Sequence, residues 1–234
     1  MASALMDTSF ECWKDVTNAF SDHIDHYATT GGGENALVGL KTEGSISLQY
    51  AGRVVYELFQ NALDRAESRV VVSFDEDGQL VVGNDGRAVS VRSEKPMNYA
   101  EQLTAGRSDF HALCTLHISN KNPEQDFGNK GIGFRSVFGV SDRCEVWSRC
   151  ADDGWWGIEL VARRKPSEWQ DCVIPELDSK VRELGDSPRP SFHLPRPLRS
   201  PDLPHSIAEG LHTVVLLRVE DREHRTQIAD EVDR

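Results

Sequence analysis

The sequence predicts an α/β fold in which helices and strands alternate along the chain. Three observations support this prediction. Residues 7–28 place apolar side chains at helical spacing. The β-branched runs VVVSF and LVVGN stand on either side of the turn DEDGQ, which is typical of a hairpin. The later runs CEVWSR, WWGIELVAR and HTVVLLRV are typical of further strands, and a hydrophobic content of 38% over 234 residues can build a core.

The first predicted element is a helix over residues 7–28 that stops at the breaker TTGGG. Its apolar face would be formed by Phe10, Trp13, Val16, Phe20 and Ile24. Residues 1–44 are therefore interpreted as an N-terminal helix followed by a glycine-rich linker.

A second helix is predicted from Leu48 to Ser68, because this stretch has no Pro, a single Gly and many helix-forming residues. The hairpin follows it, and residues 98–118 again have a helix-like pattern. Residues 185–204 carry too many prolines for a helix or a central strand, so they are predicted to form a surface excursion or an interdomain loop. After the last strand, residues 221–234 begin a polar following segment, which indicates the N-terminal part of a longer protein.

Composition argues against several classes of protein. The formal net charge of -12 provides no field that would attract nucleic acid, so nucleic-acid binding by this chain is not expected. No apolar run approaches the roughly 18 to 20 residues that span a bilayer, so no membrane insertion is expected. The acidic start MASALMDTSFECWKD is unlike a signal peptide. The five cysteines are scattered without a CxxC pair, which argues against a disulfide framework and favours a cytoplasmic location.

Three polar residues in the helix YELFQNALDRA stand at positions i, i+4 and i+7. They are Glu57, Asn61 and Asp64, and helical geometry places them on one stripe. The opposite side of the helix is apolar and would face the core. It is formed by Val55, Leu58, Phe59, Ala62 and Ala66. The polar stripe is therefore either a solvated surface or one wall of a site.

Further motifs follow along the chain. In GNDGRAVS, Asp85 and Gly86 stand at a strand end, where a carboxylate can accept a hydrogen bond from an exocyclic amine and the backbone can approach a flat ring. The glycine-rich stretch GNKGIGFRSVFGVSD covers residues 128–142, and Thr213 lies on the last predicted strand.

The ordered set E-x-x-x-N-A-x-D, N-D-G-x-A, G-x-x-G-x-G and a strand threonine resembles the Bergerat-fold or GHKL ATPases, over roughly residues 45–220. The text LCTLHISNK together with GNKGIGFRSVFGVSD is similar to the branch that contains sacsin and the plant NO VEIN proteins. The resemblance implies an α+β two-layer sandwich, with a mixed, mostly antiparallel sheet covered by helices on one face. Residues 45–220 would then form an ATP-binding domain.

The resemblance also implies roles for single residues. Asn61 would ligate the Mg²⁺ that accompanies ATP, because this hard cation prefers oxygen ligands. Glu57 would act as the general base toward the attacking water. Asp64 would shape the adenine and ribose side of the pocket. Asp85 would accept from the adenine amine, with the hydroxyl of Thr213 in support.

The remaining implied contacts come from glycines and one lysine. Gly86 would lie against the adenine ring. The backbone N–H groups around Gly128, Gly131 and Gly133 would turn toward the phosphates, and a helix starting near Gly133 would point its positive end at them. Lys130 would add a positive charge to this ATP lid.

Two departures from the family pattern bear on function. The motif D-x-G-x-G is here Asp85, Gly86, Arg87 and Ala88, with alanine where a glycine is expected. In several of these enzymes the cation that contacts the γ-phosphate comes from a second domain, so hydrolysis would draw on sequence beyond Arg234 or on another subunit.

The expected function is Mg²⁺-dependent binding and slow hydrolysis of ATP, with lid closure that switches conformation or drives homodimerisation within a larger protein. The expected partners are ATP and ADP, a second copy of the chain and further domains of the same protein. Two alternatives remain open, namely a nucleotide-gated binding module without turnover and a histidine-kinase catalytic domain.

Two other features of the sequence concern a metal site and a pair of tryptophans. His111, Cys114 and His117 form H-x-x-C-x-x-H, which either offers ligands to Zn²⁺ or belongs to a packed helix or lid segment. Trp155 and Trp156 are neighbours on a predicted strand, so one is expected in the core and the other on the surface.

Overall fold

The structure, a computed structural model, describes residues 11–28, 34–91, 108–114, 133–150, 154–169, 172–198, 207 and 209–232. The α-helices are α1 Glu11–His23, α2 Glu34–Tyr50, α3 Val54–Leu63, α4 Asp109–Cys114, α5 Pro175–Arg182 and α6 Arg222–Val232. The strands are β1 Val70–Phe74, β2 Leu80–Asn84, β3 Arg143–Arg149, β4 Trp155–Val161, β5 Arg196–Leu198 and β6 Thr213–Leu217. A π-helical turn, Ile24–Ala28, continues α1, and 3₁₀ helices cover Ala51–Arg53, Gly133–Gly139 and Pro166–Glu168.

The strands form one six-stranded sheet in the order β1-β2-β6-β3-β4-β5. Every pairing within the described part of the chain is antiparallel, where a mixed sheet had been expected. The predicted hairpin is confirmed as β1 and β2, with Val72 opposite Val82. Helices and an antiparallel sheet together give an α+β fold.

The two faces of the sheet carry different apolar clusters, because successive strand residues point to opposite sides. On one face the helices pack against the sheet, and their shared cluster includes Phe20, Leu58, Leu80 and Ile158. The other face carries a smaller cluster, formed by Val81, Trp147, Leu198, Leu211, Val214 and Leu216. The α-helical contributions to the larger cluster therefore lie on one side of the sheet.

The prediction for the N-terminal helix is confirmed within the described residues. Its expected apolar positions Trp13, Val16, Phe20 and Ile24 are all buried, while Phe10 lies outside the described residues. The tryptophan pair also behaves as expected. Trp156 is buried in the larger cluster, whereas Trp155 is half-buried on the other face.

Several expectations about the helices are wrong. Residues 34–44 belong to α2, although the breaker TTGGG that precedes them had suggested a glycine-rich linker up to residue 44. Ala36 and Ile46 are buried, so tertiary packing outweighs the weak helix propensity. The helix predicted from Leu48 to Ser68 is interrupted at Ala51–Arg53 and ends at Leu63. Helix α5 was not predicted.

Phe59 had been expected on the buried side of α3, yet it is 40% exposed. The buried side of this helix is formed by Val54, Val55, Leu58 and Ala62. Phe59 stands at the edge of that face, so a small rotation of the helix turns it toward solvent.

The proline-rich segment is not a surface excursion in its described part. Ser191, Phe192 and Leu194 are buried, and β5 pairs with the edge of β4. Proline is tolerated there because an edge strand need not donate every backbone N–H. After residue 198, the structure describes residue 207 and residues 209–232.

Cysteine pairing differs from expectation at one position. Cys114, Cys144 and Cys172 are free and buried, but Cys150 is disulfide-bonded. Cys150 therefore departs from the expected set of free cysteines. Among the described residues, no helix has the length and apolar character needed to cross a membrane.

Candidate functional site

Helix α3 carries the predicted polar stripe. The apolar residues Val55 and Leu58 hold one side of the helix against the core. Glu57, Asn61 and Asp64 are each half-buried, on the flank between the buried and the exposed sides. The stripe is therefore not a fully solvated surface, and its side chains border the protein interior.

Glu57 meets the end of the glycine-rich stretch. The 3₁₀ helix Gly133–Gly139 packs against α3. A methyl group added at Gly133 would overlap the Glu57 carboxylate and lie 3.0 Å from its Cδ. Glycine is thus the residue that lets the 3₁₀ helix approach Glu57 this closely. The Glu57 side chain is 17% exposed, and its carboxylate lies 3.7 Å from the guanidinium of Arg53.

A buried arginine holds this 3₁₀ helix in place. The guanidinium of Arg135 donates to the hydroxyl of Ser191 at 3.1 Å and to the carbonyl of Leu113. It also lies 3.8 Å from the carboxylate of Glu43, which accepts from the hydroxyl and the backbone N–H of Ser191. The ring of Phe192 covers the guanidinium at 5.4 Å. These contacts tie the helix that begins at Gly133 to α2 and to the proline-rich segment.

This network could not be predicted from the sequence. Arg135 is visible inside GFRSVF as a cation among apolar residues, but a lone arginine is usually exposed. Glu43 lies in the stretch that had been interpreted as a linker, and Ser191 in the segment interpreted as a surface loop. A buried charge must be paired, and that rule alone could have pointed to a partner for Arg135 without naming it.

Asp85 clasps the turn that follows α3. Its Oδ1 atom accepts from the backbone N–H groups of Glu67, Ser68 and Arg69 at 2.9 to 3.1 Å, and its Oδ2 atom accepts from the hydroxyl of Ser68. These hydrogen bonds, that of the Ser68 hydroxyl foremost, hold the pKa of Asp85 well below its usual range. Asp85 is therefore an ionised carboxylate with most of its acceptor capacity used inside the chain.

The neighbours of Asp85 are packed in the same way. A methyl group on Gly86 would lie 2.5 Å from the backbone nitrogen of Glu67 and 2.7 Å from the carbonyl carbon of Ala66. The side chain of His212 contacts the carbonyl oxygen of Gly86 at 2.6 Å. Thr213 is paired with Asn84 in the sheet, and its hydroxyl lies 3.5 Å from the carbonyl oxygen of Arg87. Three of the four residues expected on the adenine side, Asp85, Gly86 and Thr213, thus converge at the ends of β2 and β6, while the fourth, Asp64, is the C-cap of α3.

A second clasp holds α4 beside this turn. The guanidinium of Arg65 forms two hydrogen bonds to the carboxylate of Asp109, which also accepts from the backbone and the hydroxyl of Ser90. Burial raises the pKa of Asp109, but the hydrogen bond and charge of Arg65 outweigh it and keep this pKa below its usual value. Asp109 therefore ties α4 to the turn that follows α3 and to Ser90.

Some predicted residues lie outside the described part of the chain. They are Gly128, Lys130, Gly131 and His117. Of the H-x-x-C-x-x-H pattern, His111 and Cys114 are described and buried. No group of three potential metal ligands occurs among the described His, Cys, Asp and Glu residues.

Helix α3 carries side-chain oxygens on its polar stripe, which is the ligand type that a hard cation prefers. Asn61 stands one turn from Glu57 on α3 and carries an amide oxygen, and the Glu57 carboxylate fills the place that a side chain at position 133 would take. No protein-family model matches this chain.

Proposed function

We propose that this protein binds ATP with Mg²⁺ in a Bergerat-type pocket between α3 and the glycine-rich lid, and that it hydrolyses ATP slowly. The observation that carries the proposal is the close approach of Gly133 to the carboxylate of Glu57. The contact joins two motifs that are far apart in the sequence, the helix stripe and the glycine-rich stretch. Such a junction is expected where a lid meets a catalytic carboxylate.

Glu57 has properties that suit a general base. A carboxylate must be ionised and able to reach a water molecule in order to take its proton. The side chain of Glu57 is mostly buried but retains access to solvent. Arg53 stands on the exposed side of the helix, 3.7 Å from the carboxylate of Glu57.

The metal role falls to Asn61. Its amide oxygen is a ligand type that Mg²⁺ accepts while keeping several of its waters. When bound, Mg²⁺ would neutralise part of the phosphate charge. Asn61 stands one turn from Glu57 on the same stripe, so the two side chains would serve the same phosphate end of the nucleotide.

The adenine role of Asp85 has a specific form in this proposal. Oδ1 already accepts three backbone donors, whereas Oδ2 accepts one hydroxyl and retains room for a second donor. An exocyclic amine would bind at Oδ2. Because Asp85 is fixed by the turn, its orientation would be set before the nucleotide arrives.

Lid closure over the nucleotide would switch the conformation of a larger protein or bring two copies together. The buried contacts of Arg135 support this coupling, since they connect the 3₁₀ helix at the lid to α2. A cytoplasmic setting, with further domains of the same protein as partners, belongs to the same proposal.

Calorimetry with a non-hydrolysable ATP analogue tests the pocket. We expect binding that weakens without Mg²⁺, and Asn61→Ala should remove most of the Mg²⁺ dependence. Phosphate release then tests turnover. Glu57→Ala should bind the analogue with little change but release phosphate at least about 100-fold more slowly than the wild type.

The matched control is Gln60→Ala, which changes a polar side chain on the same helix but away from the stripe; its hydrogen bond is to Tyr56 at the surface. This variant should keep both binding and turnover. Absence of analogue binding at millimolar concentration would refute the pocket. Binding with no phosphate release by the wild type would leave a nucleotide-gated module as the function, and labelled phosphohistidine would favour a kinase domain.

A further inference from the structure

A groove runs beside strand β1, on the sheet face opposite to the helices. Its volume is about 1010 Å³. Val71, Ser73 and Val81 line it from the sheet, and residues 209–211 line it from the chain that enters β6. Val71 and Val81 belong to the apolar cluster of that face. The groove therefore lies apart from the stripe on α3, but its lining includes Asp85, which also stands on the adenine side of the proposed pocket.

Strand β1 is an edge strand of the sheet as the described residues form it. It lies at one end of the strand order and pairs only with β2 in the part of the chain that the structure describes. Its sequence VVVSF contains no charge and no proline, so it lacks the usual protection against pairing with another chain. The opposite edge is different. Strand β5 has three residues and contains Pro197, which makes it a poor template for a further strand.

The groove is acidic at its ends and along its wall. Asp75, Glu76 and Asp77 follow β1 directly, and Glu209 lies on the wall. Arg69 is the one cation among the described lining residues, and its Nη2 atom already donates to the carbonyl oxygen of Glu209 at 2.7 Å. The net charge of the lining favours a positively charged occupant.

From the edge strand, the adjacent groove and this charge, we propose that β1 docks an extended basic peptide segment of a partner protein. The peptide adds a strand to the sheet through main-chain hydrogen bonds to β1. Its side chains alternate, so every second one enters the groove, and lysine or arginine at those positions meets the acidic ends.

A second copy of this chain fits the same surface less well. Pairing of two β1 strands would offer the groove only the small side chains of Val71 and Ser73 from the other copy, which do not fill this volume. It would also bring together two acidic turns on chains of formal net charge -12. Nucleic acid is disfavoured by the same charge.

Fluorescence anisotropy with labelled peptides tests the proposal on the whole chain. The probe is a peptide of alternating lysine and valine, which should bind with a dissociation constant on the order of 10 μM. The same peptide N-methylated at alternate residues should lose binding, because it cannot complete the main-chain hydrogen bonds. A peptide of alternating glutamate and valine should not bind.

Two variants locate the site. Glu76→Gln combined with Asp77→Asn changes exposed residues and should weaken the lysine peptide at least about 5-fold. The control is Glu220→Gln combined with Glu223→Gln, exposed carboxylates that do not line the groove, and it should change binding little beyond a general charge effect. The proposal would be overturned if the lysine peptide did not bind, or if the N-methylated peptide bound equally well. It would also be overturned if both double variants lost the same affinity for the lysine peptide. Sedimentation that shows dimers removed by Ser73→Pro would also overturn it in favour of a second copy.

Discussion

The two halves of the candidate pocket are both organised around a glycine, but the glycines face different neighbours. Gly133 faces the end of a side chain, the carboxylate of Glu57. Gly86 faces backbone atoms, from the carbonyl of Arg65 to the nitrogen of Glu67. A side chain can rotate away from an added methyl group, whereas a hydrogen-bonded turn has no such freedom. The first glycine therefore concerns the chemistry of the site, and the second concerns the stability of the fold.

The same contrast extends to the carboxylates. The carboxylate of Glu57 lies on a flank of α3 and faces Gly133. The carboxylate of Asp85 accepts four hydrogen bonds from residues 67–69. One half of the site is arranged around a group that can react, and the other around a group that positions backbone. Substitutions should separate the two halves by whether they change turnover or unfolding.

The largest effect is expected from Gly86→Ala. The new methyl group would press on the backbone of residues 65–67, so the turn or the start of β1 must shift. We expect the free energy of unfolding to fall by about 3 kcal/mol, measured by urea denaturation. The matched control is Gly52→Ala, where a methyl group meets nothing within 4 Å. A loss below about 1 kcal/mol at Gly86 would contradict the rigid turn.

Gly133→Ala should lower turnover strongly and stability only slightly. The methyl group would displace the Glu57 carboxylate, whose side chain can move, so the free energy of unfolding should change by less than about 1 kcal/mol. Under the proposed function, phosphate release should fall about 100-fold, which corresponds to about 2.7 kcal/mol in the barrier. Unchanged phosphate release, with Glu57→Ala inactive, would show that the contact has no role in turnover.

The elements that carry the candidate site could be predicted from the sequence better than the packing around them. The stripe on α3 follows from helical periodicity, and the hairpin follows from β-branched runs about a turn, because both are local patterns. The partners of Arg135 could not be predicted in this way. Glu43 and Ser191 are far from Arg135 in sequence and stand in stretches whose glycines and prolines suggest loops, so only the folded packing brings them together.

The hydrogen bonds of Asp85 also could not be predicted from the local sequence. A carboxylate followed by glycine at a strand end indicates either a ligand contact or a turn clasp. Nothing in the local sequence reveals that the N–H groups of residues 67–69 point at this carboxylate, since that depends on how α3 leads into β1. The adenine contact of Asp85 stays a prediction.

Acid should affect the buried histidines before it affects the turn held by Asp85. Burial foremost lowers the pKa of His111 and of His193 to about 4, with nearby positive charge adding to the effect, and it lowers that of His23 still more clearly. The unfolded chain binds these protons near pH 6.5, so it holds more protons than the folded chain between about pH 6.5 and pH 4. The free energy of unfolding should therefore fall as the pH falls through this window, by about 1–2 kcal/mol per histidine near pH 5.

Denaturation with urea between pH 7.5 and about pH 4.5 measures this slope. The turn held by Asp85 should persist through the window, because the low pKa of Asp85 keeps it ionised until the pH falls below its usual range near 3.8. Hydrogen exchange should then show α4 and the segment 191–194 opening before the turn 67–69. His111→Gln removes one titrating group, and an unchanged slope in that variant would contradict the assignment.

The smallest effect is expected from Ser68→Ala. The Ser68 hydroxyl is the largest cause of the low pKa of Asp85, so its removal should raise that pKa toward the usual value. The three backbone donors remain, and the melting temperature should fall by only about 2 °C. Carboxyl chemical shifts followed over pH measure the first change, and thermal unfolding measures the second.

Removal of the Ser68 hydroxyl also frees Oδ2 of Asp85. The affinity for ATP should therefore stay equal or rise relative to that for GTP, whose ring carries a carbonyl oxygen at the corresponding position. A drop in ATP affinity would instead mean that the hydroxyl, and not the Asp85 carboxylate, meets the adenine ring.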